Sequence, residues 1–329
     1  MPTLAHMESE RMLEAVREGG MLPAGTPLVA MLSGGRDSVC LLDLAVRLLG
    51  VEQVTALHVN YGLRDDSDAD EAHCAALCER LGMRLELERP RRPEGPGNLQ
   101  AWARDTRYAA AARLALEAGG SIATGHTADD QVETILYRLA SSPSRRALLG
   151  MRPRNGKLVR PLLGFTREQT TAYCEERGLA WRDDPSNAEP AYARNRVRHG
   201  LAPALAEVHP AAAQNVLRTA ELLRDEAEVL DALVATELDG SDGSRRNTIE
   251  LARLAELPPA LRRLVVQQLA DRAAGRPVAG AARHAEEVAA CAAPAPRCST
   301  SAAASAQSPS AAPCAPSGSQ PALYLNCRG

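Results

Sequence analysis

The sequence predicts an α/β protein, a doubly wound parallel sheet followed by a smaller helical domain and a disordered tail. Three observations predict it. Between Leu28 and Ala140 short aliphatic runs alternate with longer apolar-periodic ones, as strands alternate with crossover helices. The polar residues with most chemical potential sit just after the strands, where an open parallel sheet receives its ligands. From Leu201 to about Ala290, stretches such as NVLRTAELLRDEAEVLDALV repeat apolar residues every three or four positions, the period of a helix with one buried face.

The elements follow in order. Leu28–Leu32 is apolar throughout, as in a strand covered on both faces. From Ser38 onward Val39, Leu42 and Val46 share one helical face, widened by Leu41, Leu44 and Leu48. A strand is expected at Val54–Val59, then a helix over Asp68–Leu81 with Asp68 as N-cap and Glu71 three residues later. A strand at Arg84–Leu87 leads through the Pro/Gly-rich loop Pro90–Gly97 to a helix from Leu99 to about Ala118. The strand Ser121–Thr124 and a helix over Asp129–Leu139 complete the series. Domain boundaries are therefore expected at 1–140, 141–200, 201–290 and 291–329.

Of 329 residues, every basic one except Lys157 is arginine, and the net charge is −3, which excludes a wholly basic, histone-like binder. Aromatic residues make up only 3%, too few for a stacking platform along single strands. Segment 141–200 departs from that balance, with eleven arginines and Lys157 against six carboxylates. It reads as an electrostatic footprint for phosphates or as a solvated, salt-bridged connector. Cys74 and Cys78 lie four apart on one helix but have no second pair of metal-ligand spacing, so buried free thiols in a reducing compartment are expected. No signal peptide and no apolar run of about 20 residues is visible, and a soluble, cytoplasmic protein with no membrane partner is expected. After Ala290 the Ala/Ser/Pro-rich sequence loses all periodicity. With four cysteines in so short a stretch, it reads as a disordered tail or a displaced reading frame.

Between the first strand and helix lies Ser33-Gly34-Gly35-Arg36-Asp37-Ser38. Glycines there permit φ > 0 and close backbone approach, and a helix N-terminus directs unpaired N–H groups and its dipole at one point. An anion belongs there, most simply a phosphate, although an ordinary turn between strand and helix also favours glycine. A Walker A loop is excluded, because the glycines are adjacent and no Lys-Ser/Thr pair follows. The dinucleotide fingerprint is excluded by the missing third glycine. The hexapeptide resembles the PP-loop of ATP pyrophosphatases, which cleave ATP between its α and β phosphates. That resemblance implies that Ser33, Gly34, Gly35, Arg36, Asp37 and Ser38 bind ATP.

Further stretches carry chemistry. LHVNYGLRDDSDADE places His58, Asn60 and Arg64 at a strand's carboxyl end, where they could bind adenosine or its phosphates, or could belong to a capped helix entry. ATGHTADDQVET places His126, Asp129 and Asp130 at another strand-to-helix junction. With Asp37 the two aspartates would form an oxygen-rich Mg²⁺ site facing a pyrophosphate; alone, they suit the helix dipole. Arg104 and Arg107 share a helix face and could clamp a carboxylate or phosphate, or lie as surface arginines.

The order SGGRDS, HVNYGLR, ARDTRY, GHTADDQVET and then RPLLGFTREQTTAYCEERGLAWRDDPSNAEPAYARNRVRHGLAPAL resembles the tRNA(Ile)-lysidine synthetase family over roughly Leu28–Leu205. The resemblance implies ATP and Mg²⁺ as cofactors, with free lysine and an isoleucine tRNA of CAU anticodon as substrates. The C2 carbonyl oxygen of the wobble cytidine would be adenylated, and the lysine ε-amine would displace AMP. It further implies a catalytic set of Asp37, Asp130, Arg104, Arg107 and Arg196, with Arg194 as an alternative to Arg196. Asp37, Asp129 and Asp130 would attend to metal, and His58, Asn60 and His126 to the nucleotide. Residues 1–140 become the ATP-binding catalytic domain, 141–200 a basic linker completing the active site, and a homodimer is suspected.

Departures from the family are specific. Tyr61 and Thr127 stand where histidines are usual, SSPSRRALLGM replaces a Gly-rich segment, and the low-complexity tail occupies the place of a C-terminal tRNA-binding domain. Two rival readings are a PP-loop tRNA thiolase, whose Cys-x-x-Cys pairs are missing here, and a nucleotide binder without catalysis.

Overall fold

The computed structural model of the chain describes residues 6–63, 65–93, 98–142, 145–182, 193–239, 248–276 and 278–291. Arg64, the Asp-Asp-Pro-Ser-Asn motif at 183–187 and the expected tail from 292 onward lie outside them. The chain divides into two compact units, Met1–Leu223 and Arg224–Gly329.

The first unit opens with α1 (His6–Glu18) and continues as β1 (Leu28–Met31), α2 (Arg36–Leu49), β2 (Val54–Val59), α3 (Ser67–Leu81), β3 (Arg84–Glu88), α4 (Leu99–Glu117), β4 (Ser121–Ala123) and α5 (Ala128–Ser141). Its sheet runs β3-β2-β1-β4-β6-β5. Strand β1 pairs in parallel with β2 and β4, and β2 with β3. The chain thus builds outward from β1 to β3 and returns to the other side of β1. The reversal between β1 and β4 is the topological switch point, where a crevice opens at the carboxyl ends of the strands.

Segment 141–200, expected as a linker, contributes to this sheet. After the short α6 (Arg145–Leu148), β5 (Arg154–Asn155) and β6 (Leu158–Val159) form an antiparallel hairpin, and β6 extends β4 in parallel. Then α7 (Arg167–Glu176) packs on α2, burying Tyr173 and Cys174 in the core that holds Leu41, Leu42 and Leu44. Each such fully buried leucine stabilises by about 1.5–3 kcal/mol. Tyr173 Oη donates to the buried Asp43 at 2.6 Å, and burial with that carboxylate pushes the phenol well above its ordinary range.

Alternate residues of β1 enter the two faces of the sheet. Leu28, Ala30 and Leu32 join α1, α2, α3 and α7, whereas Val29 and Met31 pack with Ala111, Leu114 and Ala115 of α4. This is the doubly covered strand that its unbroken apolar run requires.

One helix start differs from expectation. Helix α3 begins at Ser67, and Asp68 does not cap it. Instead Asp68 Oδ1 and Glu71 Oε2 accept from Asn60 Nδ2 at 2.9 and 3.0 Å. A cross-strand amide offers these carboxylates two donors outside the helix, which outcompetes the local cap. Past α8 (Ala193–Arg196), a π turn (Val197–Leu201) and α9 (Ala202–Val208), the helix α10 (Ala212–Leu238) spans the division between units. In the second unit, α11 (Leu251–Glu256), α12 (Pro259–Ala274) and α13 (Ala285–Ala290) enclose a separate core of Val234, Leu238, Ile249, Leu254, Leu257, Val265 and Leu269.

Candidate active site

The loop after β1 is shaped for an anion. Gly34 takes φ +85, and a Cβ there would meet Cys74 Sγ at 3.3 Å and His73 Cδ2 at 3.5 Å. Glycine serves both the backbone angle and the space. Ser38 Oγ donates to Gly35 O at 2.7 Å and accepts from Ser33 N at 3.1 Å, tying the turn to the first helical turn of α2. Gly35 N donates to Ser33 Oγ at 3.4 Å. The amides of Gly34, Arg36 and Asp37 donate to nothing among the described residues and lie where the α2 dipole is positive.

The loop after β4 touches the first through backbone. A Cβ on Gly125 would stand 2.6 Å from Asp37 O and 3.0 Å from Ser38 N, so only glycine fits. Beyond it, Thr127 caps α5: Asp130 Oδ2 accepts from Thr127 N at 2.9 Å, and Asp130 N donates to Thr127 Oγ1, completing a capping box. His126 Nδ1 lies 2.8 Å from Thr124 Oγ1. Burial pulls the His126 pKa down to about 4; Arg194, Arg160 and Arg107 push the same way and Asp130 against them. The ring is therefore neutral at pH 7.

Helix α7 ties these junctions together. Its Thr170 hydroxyl, fully buried, donates to Asp37 Oδ1 at 2.6 Å. Arg167 N donates to Asp129 Oδ2, and the Arg167 guanidinium reaches Asp130 Oδ1 and Glu133 Oε1, all three at 2.8 Å. Glu133 is 3% exposed and also receives Arg194 Nε at 3.2 Å and Arg198 at 3.8 Å. Despite burial, Arg194, Arg167 and the Thr127 amide hold Asp130 below the usual carboxylate range.

The two aspartates expected beside Asp37 around a metal, Asp129 and Asp130, are both engaged by α7. Among the described residues no group of three His, Cys, Asp or Glu side chains is disposed around a metal. Asp37 stands apart: both of its described partners, Arg36 Nε at 3.2 Å and Thr170, engage Oδ1.

A model of the PP-loop domain matches residues 6–205. The chain belongs to the PP-loop family. Relatives of this PP-loop chain include the tRNA(Ile)-lysidine synthases of Thermus thermophilus, 41% identical over 77% of this chain and 50% of that protein, and of Pseudomonas fluorescens, 37% identical over 70% and 55%. That of Dehalococcoides mccartyi is 33% identical over 86% and 64%. The chain thus spans between half and two-thirds of the length of these curated relatives. Among solved structures, a U34-tRNA thiolase from Methanococcus maripaludis with its 4Fe-4S cluster aligns with TM-score 0.57 at 19% identity, covering 67% of this chain and 80% of that one, which shows a shared fold.

Not every expected residue faces the PP-loop crevice in the same way. His58 is buried, its Nδ1 2.9 Å from Leu32 O and 3.3 Å from Cys74 Sγ, a framework position behind the loop. The amide of Asn60 is consumed by Asp68 and Glu71, and its Oδ1 accepts from Gly62 N at 2.9 Å. Arg104 and Arg107 flank the Tyr108 ring, with guanidinium carbons 4.9 and 5.7 Å from its centroid. Arg194 and Arg196 are both exposed, and Arg194 Nε reaches Glu133 of α5 at 3.2 Å.

Sequence reasoning missed Glu133, Arg167 and Thr170. A signal existed for two of them. Thr166 with Gln169 three residues on is a capping-box pattern that marks the start of α7, which carries Arg167 and Thr170. Glu133 adjoins Val132 and lies one turn from Leu136 on the buried side of α5, where a lone carboxylate requires cationic partners. Among the described residues no helix is long and apolar enough to cross a membrane.

Proposed function

We propose that this chain ligates free lysine to C2 of the wobble cytidine of an isoleucine tRNA with a CAU anticodon. ATP would first adenylate the C2 oxygen with release of pyrophosphate, and lysine would then expel AMP. One observation carries the reading: the anion-binding turn at Gly34-Gly35 and the His126–Asp130 junction are locked together at the sheet's switch point by the Gly125–Asp37 contact. The lysidine synthase relatives, at 33–41% identity, supply the reaction class.

The residue types suit that chemistry. A ring carbonyl is a poor electrophile, and an adenylate on its oxygen supplies a leaving group. The free amides of Gly34, Arg36 and Asp37 would take the departing pyrophosphate without rearrangement, since they have no bond to break. A neutral His126 adds hydrogen-bonding capacity without charge beside the adenylate. Arg167 and Arg194, fixed by Glu133 and Asp130, hold positive potential in place. Mg²⁺ fits this donor set as an ion carried mainly by ATP phosphates, with Asp37 its protein carboxylate, and would neutralise phosphate charge there. The lysine substrate and a homodimeric assembly belong to the same reading.

The test uses purified protein, radiolabelled lysine, ATP and transcribed isoleucine tRNA. Label in the RNA with stoichiometric AMP is the expected result. Accumulation of ADP, or ATP binding without label, overturns the assignment.

A further inference from the structure

A second cationic cluster, not used by the phosphate loop, lies on the β4–β6 side of the same unit. Arg104 and Arg107 project from α4 around Tyr108, Arg138 from the end of α5, and Arg160 from the carboxyl end of β6. Backbone carbonyls, not carboxylates, hold two of them: Arg138 Nη1 donates to Gly150 O at 2.8 Å and Arg160 Nη1 to Arg152 O at 2.6 Å. None of the four forms an ion pair with a described carboxylate. Arg160 is 7% exposed, and its Nε, like that of Arg107, is buried with no partner among the described residues.

Such an arrangement is costly unless something anionic completes it. A buried guanidinium N–H without an acceptor forfeits its hydration, and like charges close together repel. The cost is visible: burial, together with Arg104 and Arg194, lowers the Arg138 pKa, and burial lowers that of Arg160, with Arg104 and Arg138 pushing the same way and Tyr108 against them. Elsewhere in the site the chain pairs its arginines with carboxylates, as Arg167 and Arg194 with Glu133. Here it leaves the charges open.

We infer that Arg104, Arg107, Arg138 and Arg160 form a second oxyanion subsite, distinct from the ATP-phosphate turn, that seats a backbone phosphate of the substrate RNA. Several forked donors from separate elements, with Arg104 open to solvent, suit a phosphodiester on a polyanion. The carboxylate of an amino acid is the other source of the same chemistry. The inference rests on the RNA-modifying reading but is tested without catalysis.

Full-length Arg104→Gln and Arg138→Gln variants and the double variant would be titrated with transcribed isoleucine tRNA over about 50–200 mM salt, with neither ATP nor lysine present. Each substitution is expected to weaken RNA binding about tenfold and to reduce the slope of log affinity against log salt by about 1. ATP affinity measured calorimetrically should be unchanged. With the phosphate turn saturated by ATP, inorganic phosphate should raise the melting temperature of the wild-type chain further and should add less for Arg104→Gln, an exposed position whose ligand-free melting temperature should not fall. An unchanged RNA affinity and slope with weakened lysine binding would reassign the oxyanion to the amino acid and overturn the phosphate assignment. Unchanged binding of both in the Arg104→Gln variant overturns the subsite. A chain that binds RNA through these arginines yet ligates no lysine sinks only the catalytic reading.

Discussion

Thr170 donates to Asp37 from a fully buried position on a helix that the sequence offers only as part of a basic connector. Thr170→Val keeps the shape and removes the donor. Since a hydrogen bond to a charged group contributes about 1.5–3 kcal/mol, this variant should lose stability of that order in urea unfolding, and Thr170→Ser should recover most of it. The same variant should bind ATP with a raised Mg²⁺ requirement, read by calorimetry across a Mg²⁺ series. His126 makes a second residue-scale prediction. Its ordinary pKa of 6.5 falls to about 4 in the folded state, so between those values the unfolded chain binds more protons. Its contribution to stability is complete above pH 6.5 and is lost as pH falls through 4. Asp130, also depressed, adds its own loss below its ordinary value of 3.8. Unfolding free energies measured from pH 7 down to 4 should therefore decline, and His126→Asn should flatten that decline while leaving the more acidic limb.

The elements differ in how openly the sequence declares them. Strand β1, its turn and helix α2 are legible because their signals are local: an aliphatic run, two glycines and a helical stripe. The role of Gly125 is not legible, because it depends on where the first turn of α2 lies once packed. Helix α7 falls between these cases, since its capping box is written in the sequence but its docking onto α2 is not. The arginines of 141–200 could be counted. Which of them would meet Glu133, and which would face Arg138, is decided by β6 extending the sheet beside β4. At this scale Glu133→Ala is the sharpest test. Removing one buried carboxylate from among Arg167, Arg194 and Arg198 should cost about 3–5 kcal/mol and loosen α7 from α5. Hydrogen exchange of the α7 amides should rise well above that of α2, and unchanged protection would remove Glu133 as its anchor.

For the molecule as a whole, cysteine chemistry offers a check that spans the first unit. Cys40, Cys74, Cys78 and Cys174 are buried free thiols, whereas Cys291 in the second unit is exposed. Burial raises the Cys74 thiol to about 12 and the Cys78 thiol to about 11, and it raises Cys40 as well. Mass spectrometry after a brief alkylation at pH 8 should find Cys291 modified and these four protected until denaturant is added. Early labelling of Cys74 would contradict the packing behind Gly34. The sequence offers no second pair of ligand spacing to match Cys74 and Cys78 and so favours buried free thiols, and the packed core supplies the reason for their type: small apolar volume under the loop. The contact of Gly125 with the Asp37 carbonyl reaches further. It acts as a rivet between two jaws, fixing the span from the turn after β1 to the junction after β4 by main chain alone. No rotamer can lengthen or shorten that span. Engineering the pocket for a longer cofactor would call for inserted loop residues, because no exchange of side chains could deliver it.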